Sequence, residues 1–517
     1  MAPPQLGQPL PVYEKSALRV LLQNASGTQM FLGASALLLL YGFLIGIHRV
    51  YFSPLSHIPG PKIAAFTWWY EAYYDVIKRG QYVDIIKKMH EKYGPIVRIN
   101  PIEISIDDAS FYNEVYVAST TRRTTIDEAY RGGLAFDGAH VMTASHELHK
   151  KRRKPLEPFF SRRGIERVES WISGKAKLLE TKLQALDGTG NIVRMDHAFS
   201  AYAGDIVGGI CCEETPGFLD HPEFAPDWHG IIDTVVSQIP TFMHFTFLVQ
   251  FISVAVGAKV LLAFYPAGAG WENYRANAVR HIELAKRENL DTNTIEKNDR
   301  SSVFRHLISS DMPQSEKSTE RLSHEAMIIL GAGTVTTART LSVITFYVLS
   351  NPHIKARLSE ELSSVMQGYP SKPPRWSDLE KLPYLQACIK EGLRISPGAL
   401  RRLPRCSPDV TLQYKQYAIP RHTPVGMSSY YMHYDPITYP EPSEYRPERW
   451  LGDYNPHMNR NFVPFTRGSR NCIGMKILDI LIGLISPSYK LIKLRGCRAT
   501  AHRYASVASI DELLGTL

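Results

Sequence analysis

One cysteine near the carboxyl end stands in surroundings that a structural cysteine does not need. Cys472 lies in the stretch FVPFTRGSRNCIG, 462–474, directly after glycine, arginine and asparagine. A structural free cysteine usually behaves as a small buried hydrophobe, a disulfide needs a second cysteine at the right distance, and a zinc site needs further ligands. A loop that ends at a helix N-terminus instead stabilises a thiolate through backbone N–H groups and the positive end of the helix dipole. The stretch therefore predicts a thiolate that is held in place for chemistry.

This loop follows the pattern F-x-x-G-x-R-x-C-x-G. The fixed positions are Phe465, Gly468, Arg470, Cys472 and Gly474. A cysteine thiolate is one of the axial ligands that hold haem iron, and it pushes electron density onto the iron in a way that favours O–O cleavage. Glycines allow a tight turn close to a porphyrin face, and the planar fork of arginine pairs with a haem propionate. We expect Cys472 to ligate the iron and the other four residues to bind the haem.

Further motifs precede the loop, and together with it they resemble the cytochrome P-450 family of haem-thiolate monooxygenases. They are SHELHKKRRKPLEPFFS at 145–161, GAGTVTTART at 331–340, KEGLR at 390–394, and the run 423–450 that leads into the loop. The resemblance extends from the apolar N-terminal stretch to Gly474. It implies one large domain around haem b, with electrons that a reductase draws from NADPH. The stretches PGPKIAA, HEKYG and IVRINP most resemble filamentous-fungal members of secondary metabolism, trichodiene oxygenase-like enzymes among them.

The periodicity of apolar residues predicts the fold class. Helical patterns dominate from 162 to 366 and again around 384–393, whereas β-prone runs such as PIVRINPIEISI, 95–106, are short and few. These patterns predict a mostly α-helical domain with a minor β-sheet region, which is also the fold that the resemblance implies.

KEGLR places Glu391 and Arg394 on one face of a helix. Taken alone, the two residues read as a solvated ion pair that contributes little to stability. The resemblance adds Arg449 of PERW, 447–450, because the family uses such a Glu–Arg–Arg set to lock the core beside the haem loop. We expect these three residues to be buried and structural rather than catalytic, so that the loss of one partner is severe.

GAGTVTTART resembles the oxygen-binding centre of the family's long central helix. Thr336 stands at the position of the threonine that helps to deliver protons, and Thr337 follows it. The acid that usually precedes this threonine is replaced by Val335. We expect either that water and the two threonine hydroxyls carry the proton relay, or that the reaction needs fewer protons than a standard hydroxylation.

The sequence also predicts where this helix begins and ends, and two glycines inside it predict a groove. Ser323 is a candidate N-cap, and Asn351 followed by Pro352 is expected to end the helix. Gly331 and Gly333 cost about 1 kcal/mol each relative to alanine inside a helix. That cost predicts a functional reason for them, a groove for dioxygen above a flat cofactor.

The motif at 145–161 resembles the helix that lies along one haem edge. His149 and Arg153, four residues apart, match the family's propionate-binding pair. Lys150, Lys151, Arg152 and Lys154 surround them. Such a charge run reads either as a solvated face or as a docking patch for an acidic electron donor, and we favour docking because opposite charges steer encounter.

The N-terminal region predicts membrane attachment. MFLGASALLLLYGFLIGI, 30–47, has no charged residue and a length near the minimum for spanning a bilayer. Polar and proline-containing residues precede it, and bulky residues follow it, so we favour an uncleaved anchor over a signal peptide. The expected organisation comprises five segments. They are a leader at 1–29, expected to be lumenal, a transmembrane anchor at 30–47, a proline-rich hinge at 48–61, a catalytic domain at 62–485 and an atypical tail at 486–517.

Composition and charge limit the classes of binding partner and of cysteine-containing scaffold that can be expected. The net charge is +9, which suits an anionic membrane surface or an acidic protein, and we expect no nucleic-acid partner because no nucleic-acid motif is present. The six cysteines contain no C-x-x-C pair, so neither a disulfide scaffold nor a zinc ribbon is expected.

The function that the resemblance implies is insertion of one oxygen atom from O2 into a lipophilic small molecule, a terpenoid or polyketide intermediate. The expected location is the endoplasmic reticulum membrane, with a single span and a cytosolic catalytic domain. Substrate contacts are expected around 127–136 and 239–251. Val335 leaves open a haem-thiolate isomerase, dehydratase or peroxygenase, and the departure from the family pattern after Gly474 leaves open an inactive product with an aberrant C-terminus.

Overall fold

The computed structural model describes residues 26–128, 136–246, 266–290, 302–400 and 402–486. Most of the expected leader, much of both expected substrate regions and nearly all of the atypical tail lie outside these ranges. The helices are α1 Gly27–Tyr51, α2 Lys62–Phe66, α3 Trp69–Ala72, α4 Tyr82–Tyr93, α5 Tyr112–Val115, α6 His146–Arg153, α7 Glu157–Phe160, α8 Arg162–Glu166, α9 Glu169–Leu186, α10 Met195–Cys211, α11 Pro226–His244, α12 Pro266–Leu290, α13 Val303–Ser309, α14 Thr319–Ser350, α15 Pro352–Ser363, α16 Trp376–Leu379, α17 Pro383–Ile395, α18 Ser429–His433, α19 His457–Asn461 and α20 Met475–Ile485. The strands are β1 Ile96–Arg98, β2 Ile104–Ile106, β3 Leu412–Tyr414, β4 Tyr417–Ile419 and β5 Val425–Gly426.

The fold is mostly α-helical with two small sheets, as the periodicity predicted. The β-prone run at 95–106 forms β1 and β2, which pair antiparallel with Val97 opposite Ser105. β2 pairs parallel with β5, and β3 and β4 form a separate antiparallel pair. A large helical core, built from α9, α10, α12, α14, α17 and α20 among others, lies apart from the smaller core around the sheets.

Helix α1 fits a membrane anchor. It begins at a reciprocal cap, in which the Ser26 hydroxyl accepts from the Gln29 N–H at 3.3 Å and the Gln29 side chain accepts from the Ser26 N–H at 2.9 Å. Its most apolar 18-residue window is only 6% buried, whereas the corresponding window of α14 is 56% buried. α14 is therefore a core helix, and α1 presents its apolar side chains outward. At 1.5 Å per residue, α1 is about 37 Å long, enough to cross the hydrocarbon core of a bilayer.

The proline-rich segment after α1 is tied to the sheet. The Arg98 guanidinium donates to the Arg49 carbonyl at 2.9 Å and to the Pro101 carbonyl at 2.7 Å. The Arg98 N–H donates to the Pro59 carbonyl at 2.7 Å. Arg98 thus joins the end of the anchor helix, the proline-rich segment and β1.

The long helix α14 starts one turn earlier than the sequence suggested. Ser318 is its N-cap and accepts from the Arg321 N–H at 3.2 Å, whereas Ser323 lies buried inside the helix, so the prediction of Ser323 as cap was wrong. Both serines precede apolar residues, and the local pattern does not distinguish them. The predicted end is confirmed, because α14 stops at Ser350 and Asn351 caps α15 through the His353 N–H at 3.1 Å.

The helix glycines permit close packing. A Cβ at Gly331 would overlap the Tyr274 hydroxyl of α12, and a Cβ at Gly333 would lie 2.8 Å from a methyl group of Val207 on α10. The cost of glycine inside α14 therefore has an explanation in helix packing, which the dioxygen-groove interpretation did not anticipate.

Alanine at Gly333 should destabilise the protein, whereas alanine at Gly174 should stabilise it. Both glycines are inside helices, but a Cβ at Gly174 meets nothing within 4 Å. Gly174→Ala should gain up to about 1 kcal/mol from helix propensity. Gly333→Ala must also displace Val207, an overpacking cost of about 1–3 kcal/mol that outweighs this gain. Denaturant midpoints of the two variants should move in opposite directions, and equal shifts would contradict the packing explanation.

Candidate active site

The loop around Cys472 is closed by backbone contacts. The Cys472 N–H donates to the Phe465 carbonyl at 3.0 Å, and the Ser469 N–H donates to the Val117 carbonyl at 3.0 Å. Gly468 has φ +78°, and a Cβ there would overlap the backbone of Tyr116 and Val117. A glycine is therefore required at this turn, as the spacing suggested.

The thiol of Cys472 lies at the N-terminus of α20. The backbone N–H groups of Gly474 and Met475 face its sulfur closely enough to lower the pKa of the thiol. Burial raises the pKa of the thiol, and the two N–H groups and Arg153 offset only part of that rise. The side chain is accessible to solvent although protein atoms crowd around it, the situation of a group that lines a cleft. Since a coordinating metal ion deprotonates a thiol outright, these donors fit a metal-bound thiolate.

Gly474 has an ordinary backbone conformation, with φ −81°. A Cβ added there would lie 3.9 Å from the Cys472 sulfur. Its position beside the sulfur, rather than a backbone turn, is therefore what distinguishes this glycine.

Arg470 is a buried cation that meets only neutral acceptors. It donates to the carbonyls of Thr143 at 2.7 Å and Ala144 at 2.8 Å, and its Nε has no partner among the described residues. Burial lowers the pKa of Arg470 to about 9, and repulsion from Arg405 and Arg153 contributes. A buried guanidinium that lacks a carboxylate within the described ranges fits an anionic group such as a propionate.

His149 and Arg153 on α6 both contact this loop. His149 donates from Nδ1 to the His140 carbonyl at 2.7 Å, and its Nε2 lies 3.4 Å from the Ser469 carbonyl oxygen. Arg153 donates to the carbonyl and side-chain oxygens of Asn471 at 2.6 and 2.9 Å. Burial and Arg470 lower the pKa of His149 to about 3, so its ring is neutral at pH 7.

Arg405 is a residue of this site that the sequence motifs missed. It is buried and donates to the neighbouring carbonyls of Leu403 and Pro404 at 3.0 and 3.1 Å. Its charge acts on Arg470, which lies far away in sequence but close in space. The cluster of arginines at 401–405 was the only sequence signal. Together with Arg470 and Arg153 it makes a cationic surface that fits haem propionates.

The two threonines lie in the middle of α14. The Thr336 hydroxyl donates to the Ala332 carbonyl at 2.8 Å, and its methyl group would lie 3.7 Å from a Cβ added at Gly398. Thr336 is partly exposed, whereas Thr337 is buried. Because the Thr336 hydroxyl donates its proton to the Ala332 carbonyl, the Thr336 oxygen remains able to accept a hydrogen bond from water or substrate.

Glu391 is fully buried at the centre of a dense polar cluster. It receives Arg394 at 2.7 and 3.0 Å and Arg449 at 2.9 Å. The Trp450 indole and the Arg446 N–H complete its set of donors, at 2.8 and 3.1 Å. The structure therefore brings together all three residues of the expected Glu–Arg–Arg set.

The basic run on α6 divides into exposed and buried members. Lys150, Lys151 and Lys154 are exposed. Arg152 is buried and pairs with Glu316 on two sides, at 2.7 and 3.1 Å, so its assignment to an exposed patch was wrong. Its partner lies in the short turn Gln314–Lys317 before α14, far away in sequence, so no local pattern separates Arg152 from its lysine neighbours.

Comparisons with known proteins agree with this geometry. A family model described as Cytochrome P-450 matches residues 59–482. "Cytochrome P-450 monooxygenase tndB" of Aspergillus flavipes is 54% identical over 455 residues, which cover 85% of this chain and 94% of that protein. "Stellatic acid synthase" of Emericella variicolor is 45% identical over 468 residues, 86% of this chain and 84% of that protein. "Fusicoccadiene C-8 hydroxylase" of Phomopsis amygdali is 44% identical over 447 residues, 86% of this chain and 85% of that protein.

Replacement of Glu391 should prevent stable folding. Glu391→Gln removes a buried charge that faces Arg394 and Arg449, and an uncompensated buried ion costs about 3–5 kcal/mol. Glu441→Gln is the control, because Glu441 pairs with Arg446 at the surface, where such pairs contribute about 0–1 kcal/mol. Soluble yield and denaturant midpoint should fall sharply only for Glu391→Gln. Equal behaviour of the two variants would show that the cluster does not stabilise the fold.

Proposed function

The chain belongs to the cytochrome P-450 family, and from this premise we propose that it is a membrane-anchored haem-thiolate monooxygenase that hydroxylates a terpenoid. The observation that carries the proposal is the position of the Cys472 thiol, at the start of α20 beside the N–H groups of Gly474 and Met475 and near the buried cation of Arg470. The residues of the site fit an iron porphyrin whose thiolate ligand and propionates meet these groups. The family is one of monooxygenases, which are oxidoreductases.

The relatives support a terpenoid rather than a polyketide substrate. One is named as a hydroxylase of fusicoccadiene at C-8 and another as stellatic acid synthase. The first of these names describes hydroxylation of a terpenoid. We extend the class, and not the individual compounds, to this chain.

The proposed reaction consumes O2, two electrons and two protons, converts one C–H bond to C–OH and releases water. When bound, haem with a thiolate ligand supplies the cleavage of the O–O bond and the oxidation of the substrate. Cys472 would hold the iron, while Arg470, His149 and Arg153 would hold the propionates. Thr336 would position a water molecule, because its oxygen can accept a hydrogen bond while its hydroxyl donates to the Ala332 carbonyl. With Val335 in place of an acid, protons would arrive from solvent through water, and the Thr336 hydroxyl would pass one on only after it releases its hydrogen bond to Ala332.

The proposed setting is the cytosolic face of the endoplasmic reticulum. α1 would anchor the protein there, and NADPH would act through a separate reductase. Lys150 and Lys151 are exposed on α6, the helix that also carries His149 and Arg153, and Lys154 is exposed directly after it. An acidic reductase surface would be steered to these lysines by charge complementarity.

A second candidate function is favoured by Val335 alone. This residue is partly buried and packs against the helical core. A haem-thiolate isomerase, dehydratase or peroxygenase would need no acid at this position. A catalytically inactive chain is the third possibility, and the first test below decides it.

The first test is the carbon monoxide difference spectrum of the dithionite-reduced full chain. The wild-type protein should give the red-shifted Soret band of thiolate-ligated ferrous haem. Cys472→Ser should lose that band because it removes the ligand, whereas Cys212→Ser, at a buried cysteine directly after α10, should keep it. Absence of the band from the wild-type protein would overturn the proposal, and its persistence in Cys472→Ser would overturn the assignment of the ligand.

The second test places an acid beside Thr336. Val335→Glu should raise NADPH-coupled product formation severalfold, because a carboxyl group there can supply protons. Val335→Gln is the matched control, with similar size and no ionisable proton. If the two variants have equal turnover, the reaction does not depend on proton delivery at this position, and the second candidate function is favoured.

A further inference from the structure

Glu325 is a fully buried carboxylate that none of the sequence motifs includes. It lies in the second turn of α14 and pairs with His140, which precedes α6. The Glu325 carboxylate accepts from the His140 ring Nδ1 at 2.5 Å and from the His140 N–H at 3.1 Å. Arg321, one turn earlier in α14, donates to it at 2.7 Å. Burial by itself raises the pKa of Glu325, but His140 and Arg321 together hold that pKa below its ordinary value, so the group is charged at pH 7.

The segment that contains His140 supplies the carbonyl groups that orient the predicted propionate ligands. The His140 carbonyl accepts from His149 Nδ1 at 2.7 Å. The carbonyls of Thr143 and Ala144 accept from Arg470 at 2.7 and 2.8 Å. The Thr143 N–H donates to the His140 carbonyl at 3.2 Å, which links the two sets of carbonyls in one turn. The positions of His149 and Arg470 therefore depend on where this turn lies.

The turn is attached to α14 at more than one point. Arg152 donates to the Thr143 hydroxyl at 2.9 Å and pairs with Glu316, a residue of the short turn before α14 that itself pairs with Arg321 of α14 at 3.3 Å. The Gly138 N–H donates to His324 Nδ1 at 3.0 Å, and a Cβ at Gly138 would overlap the α14 backbone at Arg321. These contacts surround the Glu325–His140 pair, which is the most deeply buried of them.

We propose that Glu325 is a positioning residue, which holds the His140 turn against α14 so that its carbonyls aim His149 and Arg470 at the haem propionates. The inference rests on the proposed function, because the propionates belong to the haem proposed for this site. Three donors converge on the Glu325 side chain: a ring N–H, a backbone N–H and a guanidinium. A carboxylate is required because both of its oxygens accept hydrogen bonds. A glutamine would present an NH2 group to one of these donors and leave it unsatisfied.

A shift of the turn would weaken the binding of the haem, although Glu325 itself makes no contact with the haem. Groups that orient the ligands of a metal site typically change metal affinity by about 10–100-fold when they are removed. We expect Glu325→Gln to act in the same way on retention of the haem, through His149 and Arg470.

The test compares Glu325→Gln with Glu320→Gln in the full-length, haem-loaded protein. Glu320 lies on the same helix, one turn before Glu325, and is exposed. The first readout is the rate of haem transfer to excess apomyoglobin, expected to rise about tenfold or more for Glu325→Gln. The expected change for Glu320→Gln is none. The second readout is amide hydrogen exchange in peptides that cover 139–149, expected to quicken in Glu325→Gln while peptides of α9 and α10 keep their protection.

The outcomes separate this inference from the proposed function. If the wild-type protein binds no haem, both are overturned. If it binds haem and Glu325→Gln releases it at the wild-type rate, only the role of Glu325 is overturned. Faster exchange throughout the protein, with unchanged haem release, would show a merely structural residue and would also overturn it. If Glu325→Gln does not accumulate, His140→Ala replaces it, because Glu325 then keeps Arg321 as its partner and the same two readouts apply.

Discussion

The buried charge of Glu391 organises the approach to the thiolate loop. Arg394, which pairs with it, also donates to the carbonyls of His433, Pro442 and Glu444. Glu391 itself receives Arg449 and Trp450. The segment 433–450 is thus wrapped around one ion pair that has no access to water. The Trp450 ring packs on Phe462, where the loop begins, and the Val463 N–H donates to the His433 ring at 3.0 Å. The position of the Cys472 sulfur therefore depends on the Glu391–Arg394 ion pair, which is far from it in sequence.

Arg470 is compensated differently from several other buried arginines among the described residues. Arg394 faces Glu391, Arg152 faces Glu316, and Arg305 faces Glu213 at 2.5 Å. Arg470 faces carbonyl groups instead. Arg98 also meets carbonyls, but one of them belongs to the last turn of α1, where the helix dipole is negative. Arg470 donates to Thr143 at the end of a single 3-10 turn, His140–Met142, and pairs with no carboxylate in the described structure, so an anion from outside the chain would supply the compensation that its surroundings lack.

Local sequence patterns predicted the parts of this protein that depend on near neighbours. The loop at 462–474, the end of α14 at Asn351 and the strands in 95–106 are set by glycine, proline and alternating apolar residues. The patterns failed where the surroundings of a residue are set by an element that is distant in sequence. Arg152 looks like its lysine neighbours until the turn before α14 places Glu316 beside it, and the glycines of α14 are explained only by Tyr274 and Val207. The Glu325–His140 pair joins residues 185 positions apart, and no local pattern specifies such a contact.

Stability and cofactor binding should be coupled in this site. Placing Arg470 and Arg405 together in a buried position costs free energy, because each raises the energy of the other's charge and neither has a carboxylate within the described ranges. A group that binds only the folded protein and brings negative charge to these arginines lowers that cost and stabilises the fold by mass action. Glu391 and Glu325 differ from these arginines, because each of the two carboxylates already pairs with an arginine of the chain. These pairs hold backbone segments in place without any bound group. Glu391 and Glu325 are thus neutralised within the chain, whereas Arg470 and Arg405 would be neutralised by the propionates of the haem proposed for this site.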